Sequence, residues 1–281
     1  MVLYLKNMYD FEKHLQHVYP FQPSSELTDE ENERLRQVCI LVINVKRSTE
    51  RLELIKKQLE PLHLNTFVFA AVDAAELTVH ETHKQELKII EYGDNYFLAD
   101  YTRRFDYIYR GDIPKGMIGC IMSHQLIYNM IQFERTFKHY LILEDDATVL
   151  HEPTKMRKYL TNIPEPYEMI YLNSESKWFP IAHTTDVNEY YTRIQRRHFN
   201  ASVSYMLSKV GAAKLLAYSR HDVTRPPDDL LSNLHSLGGY DVFAPKEFLF
   251  GNNYELESDC ERFSVVQQPE TLSEPPSDKL I

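Results

Sequence analysis

Cys39-Ile40-Leu41-Val42-Ile43-Asn44 is an unbroken apolar run closed by a polar residue, and the residues after it decide the class of fold. Such a run suits a strand covered on both faces. Downstream, Leu52, Ile55 and Leu59 recur at helical spacing, and the pattern stops before Pro61, whose ring disfavours helix in the residue ahead of it. A second apolar run, residues 66–72, ends at Asp73. Strand, helix and strand in that order make a βαβ unit, so the spacing predicts an α/β fold opening on parallel strands.

On the amino-terminal side, residues 1–37 read as a polar leader added to the domain. Its stretch 28–35 is helical in character, with Thr28 as N-cap and Glu31 completing a capping box. Toward the carboxyl end, residues 76–115 are polar with scattered aromatics and read as a loop-rich insertion. A helix over 118–133 comes next, then a strand over 140–143 and an apolar segment at 169–172. Another strand near 201–207 leads into a helix capped by Ser208. The domain is expected to span residues 38–265. Residues 266–281, rich in proline and acids, lack the apolar content to fold and read as a disordered tail.

Chemistry concentrates where Tyr140-Leu141-Ile142-Leu143 runs into Glu144-Asp145-Asp146. Three consecutive carboxylates repel one another unless solvated or paired with a cation. If strand alternation continues through them, Glu144 and Asp146 point the same way and Asp145 points opposite. Two same-side carboxylates at the carboxyl end of a buried strand suit a hard ion such as Mg²⁺ or Mn²⁺ bridging a diphosphate. A solvated acidic turn is the plainer reading.

Other candidates surround this one. Asn44, Lys46 and Arg47, with Arg51 nearby, lie where the first strand turns into its helix, a place suited to phosphate. No glycine fingerprint accompanies them, which argues against a dinucleotide oxidoreductase, a P-loop nucleotidase or a methyltransferase. Gly116 and Gly119 permit close approach to a ligand, and Ser123 and His124 lie further along the same helix. Asp228 and Asp229, after Pro226 and Pro227, suit either ordinary helix capping or a general base. His198, His221 and His235 are possible further ligands for a metal, and nothing in the sequence chooses among them.

A net charge of −10 argues against a general nucleic-acid binder and fits a cytosolic protein. Cys39, Cys120 and Cys260 are too widely spaced for a zinc motif or a disulfide framework. Charged residues interrupt the first twenty positions, so no signal peptide is expected, and no segment is apolar for long enough to span a membrane. Arg193, Arg196, Arg197 and His198 form a basic cluster that suits phosphorylated glycolipid at a membrane surface, or simply a solvated loop.

Four segments together resemble glycosyltransferase family 25, whose bacterial members extend lipooligosaccharides and whose animal members glycosylate collagen. They are Ile43-Asn44-Val45-Lys46-Arg47 with Arg51, Gly119-Cys120-Ile121-Met122-Ser123-His124, Leu143-Glu144-Asp145-Asp146, and Ser204 to Ser208 leading into residues 211–216. The resemblance implies a GT-A-type Rossmann-like domain with a central mixed, mostly parallel sheet. It implies Mn²⁺ or Mg²⁺ on Glu144 and Asp146, with Asp145 on ribose or sugar hydroxyls. Asn44, Lys46, Arg47, Asp73, Ser123 and His124 would serve the nucleotide sugar. Ala74 stands where the family usually has glycine after the Asp73 equivalent. The implied reaction is inverting transfer of a hexose, galactose from UDP-galactose, to a glycan or glycolipid hydroxyl, with Asp228 or Asp229 as base. The alternative within the same fold is a degenerate nucleotide-sugar-binding scaffold.

Overall fold

The computed structural model describes residues 14–81, 87–93, 95–100, 113–173, 184–194, 202–219, 223–253 and 255–256. The expected tail 266–281, Cys260, His198, His221, Arg196 and Arg197 lie outside them.

Along the chain, β1 (Leu15–Tyr19) and α1 (Asp29–Arg36) precede β2 (Val38–Asn44), which is buried along its whole length. α2 (Thr49–Leu59) packs Ile55 and Leu59 inward and returns the chain to β3 (Asn65–Ala70), parallel to β2. The predicted βαβ unit is therefore present. Strands β4 (Thr78–Glu81), β5 (Leu87–Tyr92) and β6 (Asn95–Asp100) form a separate antiparallel sheet. α3 (Lys115–Phe133) then crosses to β7 (His139–Glu144), parallel to β2 on the side away from β3.

After β8 (Ala147–Val149) and α4 (Pro153–Thr161) come β9 (Met169–Tyr171), β10 (Thr184–Asp186), β11 (Tyr191–Ile194) and β12 (Ser204–Leu207). Helices α5 (Lys209–Ser219) and α6 (Pro227–Ser236) and strands β13 (Val242–Pro245) and β14 (Phe250–Asn252) complete the described fold. Ser208 caps α5 as expected, its hydroxyl accepting from Gly211 N at 3.1 Å.

Among the described residues, nine strands form the main sheet in the order β1-β3-β2-β7-β12-β9-β13-β11-β10. Only β2–β3, β2–β7 and β9–β13 are parallel, and the other five neighbouring pairs are antiparallel. The expectation of a mostly parallel sheet is thus corrected. An apolar run reads alike in either direction; strand polarity is set by the connections, which periodicity does not encode.

Two further regions differ from their sequence reading. The insertion expected to be loop-rich holds the β4–β6 sheet, whose strands are short and mix charged residues with apolar ones, so alternation is weak. The leader is joined to the domain: β1 extends the main sheet beside β3, and Leu35 of α1 is fully buried. The capping box at α1 is formed as expected, with Thr28 Oγ1 accepting from Glu31 N at 3.2 Å and Glu31 Oε2 accepting from Thr28 N at 2.8 Å. Thr28→Ala is expected to cost about 1 kcal/mol, read as a lower urea midpoint with unchanged slope.

The other end of β7 carries an acid-sensitive group. His139 is buried with Nδ1 2.9 Å from the Tyr167 hydroxyl, and burial lowers its pKa from 6.5 to about 4 despite Glu165 at 3.2 Å. The unfolded chain takes up a proton that the folded imidazole refuses, so this contribution to stability falls as pH drops below about 6.5 and is lost by about 4. Its size is roughly 3 kcal/mol. His139→Phe is expected to flatten the pH dependence of the melting temperature in that window; an unchanged slope would refute it.

Candidate active site

The chain leaves β2 toward β3 on one side and returns as β7 on the other. That reversal opens a crevice at the carboxyl ends of parallel strands, where open α/β sheets bind ligands. Its walls come from the segments after β2, β3 and β7 and from the first turns of α3.

All three acids border this crevice, in different states. Asp145 is buried and held by protein on both oxygens. Asn44 Nδ2 donates to Oδ2 at 2.7 Å and to the Ser48 carbonyl at 3.0 Å, while Arg51 lies 2.6 Å from Oδ1. Asp145 and Asn44 thus fasten β7 to β2 and α2 across the switch point. Glu144 accepts from Ser202 Oγ at 2.7 Å and lies 3.4 Å from His124 Nε2. Burial pushes its carboxyl up, but His124, Ser202 and Arg51 together outweigh this and leave it below the ordinary range.

Asp146 differs from both. Its Oδ2 is 3.3 Å from Arg51, whereas Oδ1 is buried without a hydrogen-bond partner among the described residues. Burial first, then the Glu144 charge, lifts its pKa to about 7, with Arg51 pulling the other way. The strand ends at Glu144 and the chain turns there, so simple alternation does not extend to Asp146. Glu144 and Asp146 fit a hard divalent cation: the unpartnered oxygen and the repulsion between the two acids are what such an ion relieves. Asp145, engaged by an amide and a guanidinium, does not fit as a ligand.

The remaining predicted residues divide. His124 is buried at the crevice, its Nδ1 2.5 Å from the Tyr205 hydroxyl, which lies 2.9 Å from that of Tyr128. The Ser123 hydroxyl ties α3 to the loop after β3, accepting from Val72 N at 2.9 Å and donating to the Gly119 carbonyl at 2.7 Å. Gly119 serves that same contact, since a Cβ there would stand 2.8 Å from the Val72 carbonyl oxygen. The close approach it permits is to protein backbone. Arg47 borders the crevice and pairs with Asp73, whose Oδ1 also caps the turn Ala74–Glu76 through Ala75 N at 2.9 Å.

Lys46 is exposed and does not line the crevice. Neither do Asp228 and Asp229, which occupy the first turn of α6, with Asp229 N donating to Asp228 Oδ1 at 2.9 Å. Asp228 is near enough to raise the pKa of Tyr128, after the larger effect of burial. His235 is buried farther along α6, 3.3 Å from the Tyr240 carbonyl. Arg193 pairs with Asp241 at 2.7 Å. Among the described residues, no helix is long and apolar enough to cross a membrane.

Sequence reasoning did not assign roles to Ser202 and Tyr205, or a clamp to Arg51. Arg51 lies in the first turn of α2, just after Arg47 in the preceding turn, and two guanidinium groups so close behind the first strand were a usable signal. Ser202 and Tyr205 meet the acids only through sheet pairing, with Ser204 opposite Leu143 and Tyr205 opposite Ile142.

A family model described as "Glycosyltransferase family 25 (LPS biosynthesis protein)" matches residues 37–231, which include β2, the acidic end of β7 and the crevice between them. The chain belongs to glycosyltransferase family 25. A "Glycosyltransferase 25 family member" from Drosophila melanogaster is 28% identical over 72% of this family 25 chain and 31% of its own length. "Procollagen galactosyltransferase 2" from Homo sapiens is 23% identical over 72% of the chain and 31% of its own length. "Putative glycosyltransferase R655" from Acanthamoeba polyphaga mimivirus is 26% identical over 55% of the chain and 43% of its own length. The chain spans about a third of the length of the two animal relatives.

Proposed function

We propose that this family 25 chain is a GT-A-type inverting transferase that moves a hexose, galactose, from a UDP-sugar to a hydroxyl of a glycan or glycolipid, with Mn²⁺ or Mg²⁺ held by Glu144 and Asp146. The carrying observation is the Asp146 oxygen beside Glu144 at the switch-point crevice that has no hydrogen-bond partner among the described residues. The human relative's name supports the choice of galactose.

The ion, when bound, neutralises diphosphate charge and makes UDP a better leaving group. The protein's own residues do the remaining work. Arg47 and Arg51 bring positive charge to the crevice, and Asn44 with Arg51 holds Asp145 so that the turn carrying Asp146 keeps its shape. Ser202 and His124 keep Glu144 ionised and oriented. The acceptor hydroxyl needs a base facing the reacting carbon, and we propose Asp228 or Asp229 for it; both stand at the start of α6 outside the crevice lining, so the role requires the acceptor to bind between the crevice and α6. Purified protein screened against UDP-sugars is expected to release UDP only with Mn²⁺ or Mg²⁺ present; equal turnover in chelator overturns the metal assignment.

One observation favours a second reading, a nucleotide-sugar-binding scaffold: Arg51 already offsets charge on Asp145 and Asp146. Thermal shift separates the two, because UDP stabilisation that requires Mn²⁺ supports the enzyme and metal-independent stabilisation supports the scaffold.

A further inference from the structure

Beneath the acidic turn, a second donor set converges. Cys120 and His124 are one turn apart on α3 and so share a face, and Glu144 at the end of β7 meets them there. One ligand atom from each of the three lies within 4.8 Å of the others. Cys120 is partly exposed and lines the crevice, so the set is open to solvent. His124 Nε2 is buried and faces Glu144 Oε1 at 3.4 Å without a well-formed hydrogen bond among the described residues, while Nδ1 is fixed by Tyr205 at 2.5 Å. That is how proteins orient a ligating imidazole, with one nitrogen held by an outer group and the other presented to the ion.

We propose that Cys120, His124 and Glu144 form a site for a soft divalent cation of the zinc class, with its fourth position open to water. Geometry and ligand chemistry agree on this. Bonds of about 2.0–2.1 Å to nitrogen and oxygen at a tetrahedral angle put those two atoms about 3.3–3.4 Å apart. His124 Nε2 and Glu144 Oε1 are 3.4 Å apart. A thiolate selects zinc or cobalt over magnesium, and the thiol proton is released to solvent as the ion binds. This donor set lacks Asp146 and has a sulfur, so it is chemically separate from the hard-cation pair, with Glu144 common to both. The site stands without the transferase reading; its consequence, zinc withdrawing Glu144 from the donor's cation and inhibiting transfer, rests on that reading.

The test uses the full chain, stripped of metal and titrated with Co²⁺. A thiolate-to-cobalt charge-transfer band with tetrahedral visible bands is expected at equimolar metal. The band is expected to vanish in Cys120→Ser and to persist in Asp146→Ala, the variant that removes the hard-cation pair. X-ray absorption on the zinc-loaded native chain is expected to show a single sulfur at about 2.3 Å, a readout that needs no variant. An oxygen-only octahedral spectrum, or a charge-transfer band that survives Cys120→Ser, overturns the site. Loss of Mn²⁺-dependent UDP release in Asp146→Ala with the cobalt band intact supports a cobalt site that shares Glu144 with the hard-cation pair but does not need Asp146.

Discussion

Asp146→Asn is expected to lower UDP-sugar turnover by roughly 10²–10³-fold or more, the scale seen when a preorganised electrostatic contact is removed from a charge-stabilising site. The same substitution is expected to stabilise the metal-free protein. Asp146 is a partly buried carboxylate with one buried oxygen that has no hydrogen-bond partner among the described residues, disfavoured by burial and by the neighbouring Glu144 charge. An amide of the same shape removes that penalty, for a gain of roughly 1–2 kcal/mol. A variant that is inactive yet melts at higher temperature is what a site kept under electrostatic strain for a ligand predicts. A variant that is inactive and less stable makes Asp146 a structural residue instead. The comparison with Asp145→Asn sharpens this, because Asp145 has Arg51 and Asn44 as partners and its loss leaves a guanidinium poorly compensated. That variant is expected to lose stability along with activity.

Gly211→Ala is expected to destabilise the fold by roughly 3 kcal/mol or more, at the upper end of overpacking costs and against the ~1 kcal/mol that alanine gains in a helix. A Cβ at Gly211 would stand 2.0 Å from the Glu168 carbonyl oxygen and 2.8 Å from its carbon, both main-chain atoms ahead of β9. Backbone cannot move aside as a flexible side chain can, so α5 must lift from the sheet, taking Ala212 and Leu215 out of the core. Gly239→Ala is the control: its nearest contact is a Leu234 side-chain carbon at 3.4 Å, so a small effect is expected. Urea denaturation of the pair decides the matter, and equal midpoints would remove the close-packing argument.

Much of the fold was legible because burial and period leave marks in local sequence. The run 39–44, the Leu52, Ile55 and Leu59 spacing, the capping box at Thr28 and the Ser208 cap each appear as read. The β4–β6 sheet was not legible, since its alternation is broken by charge, and β1 was missed because an edge strand needs little apolar content to pair. For the site, residue types were readable and partnerships were not. Ser123 reads as a phosphate contact until Val72 N is found on its hydroxyl, and Gly119 as a ligand approach until Val72 is found against it.

By itself the sequence determined that a βαβ unit opens an α/β fold, and that three carboxylates end a buried strand, because hydrophobic period and residue chemistry are local properties. Tertiary structure alone decided that most neighbouring strands run antiparallel and that Asp145 is clamped by Arg51. It also decided that Asp146 keeps an oxygen without a partner among the described residues and that Cys120 and His124 meet Glu144. Those outcomes depend on which segments the sheet brings side by side, and a carboxylate is made a clamp or a ligand by the charge that long-range pairing places against it.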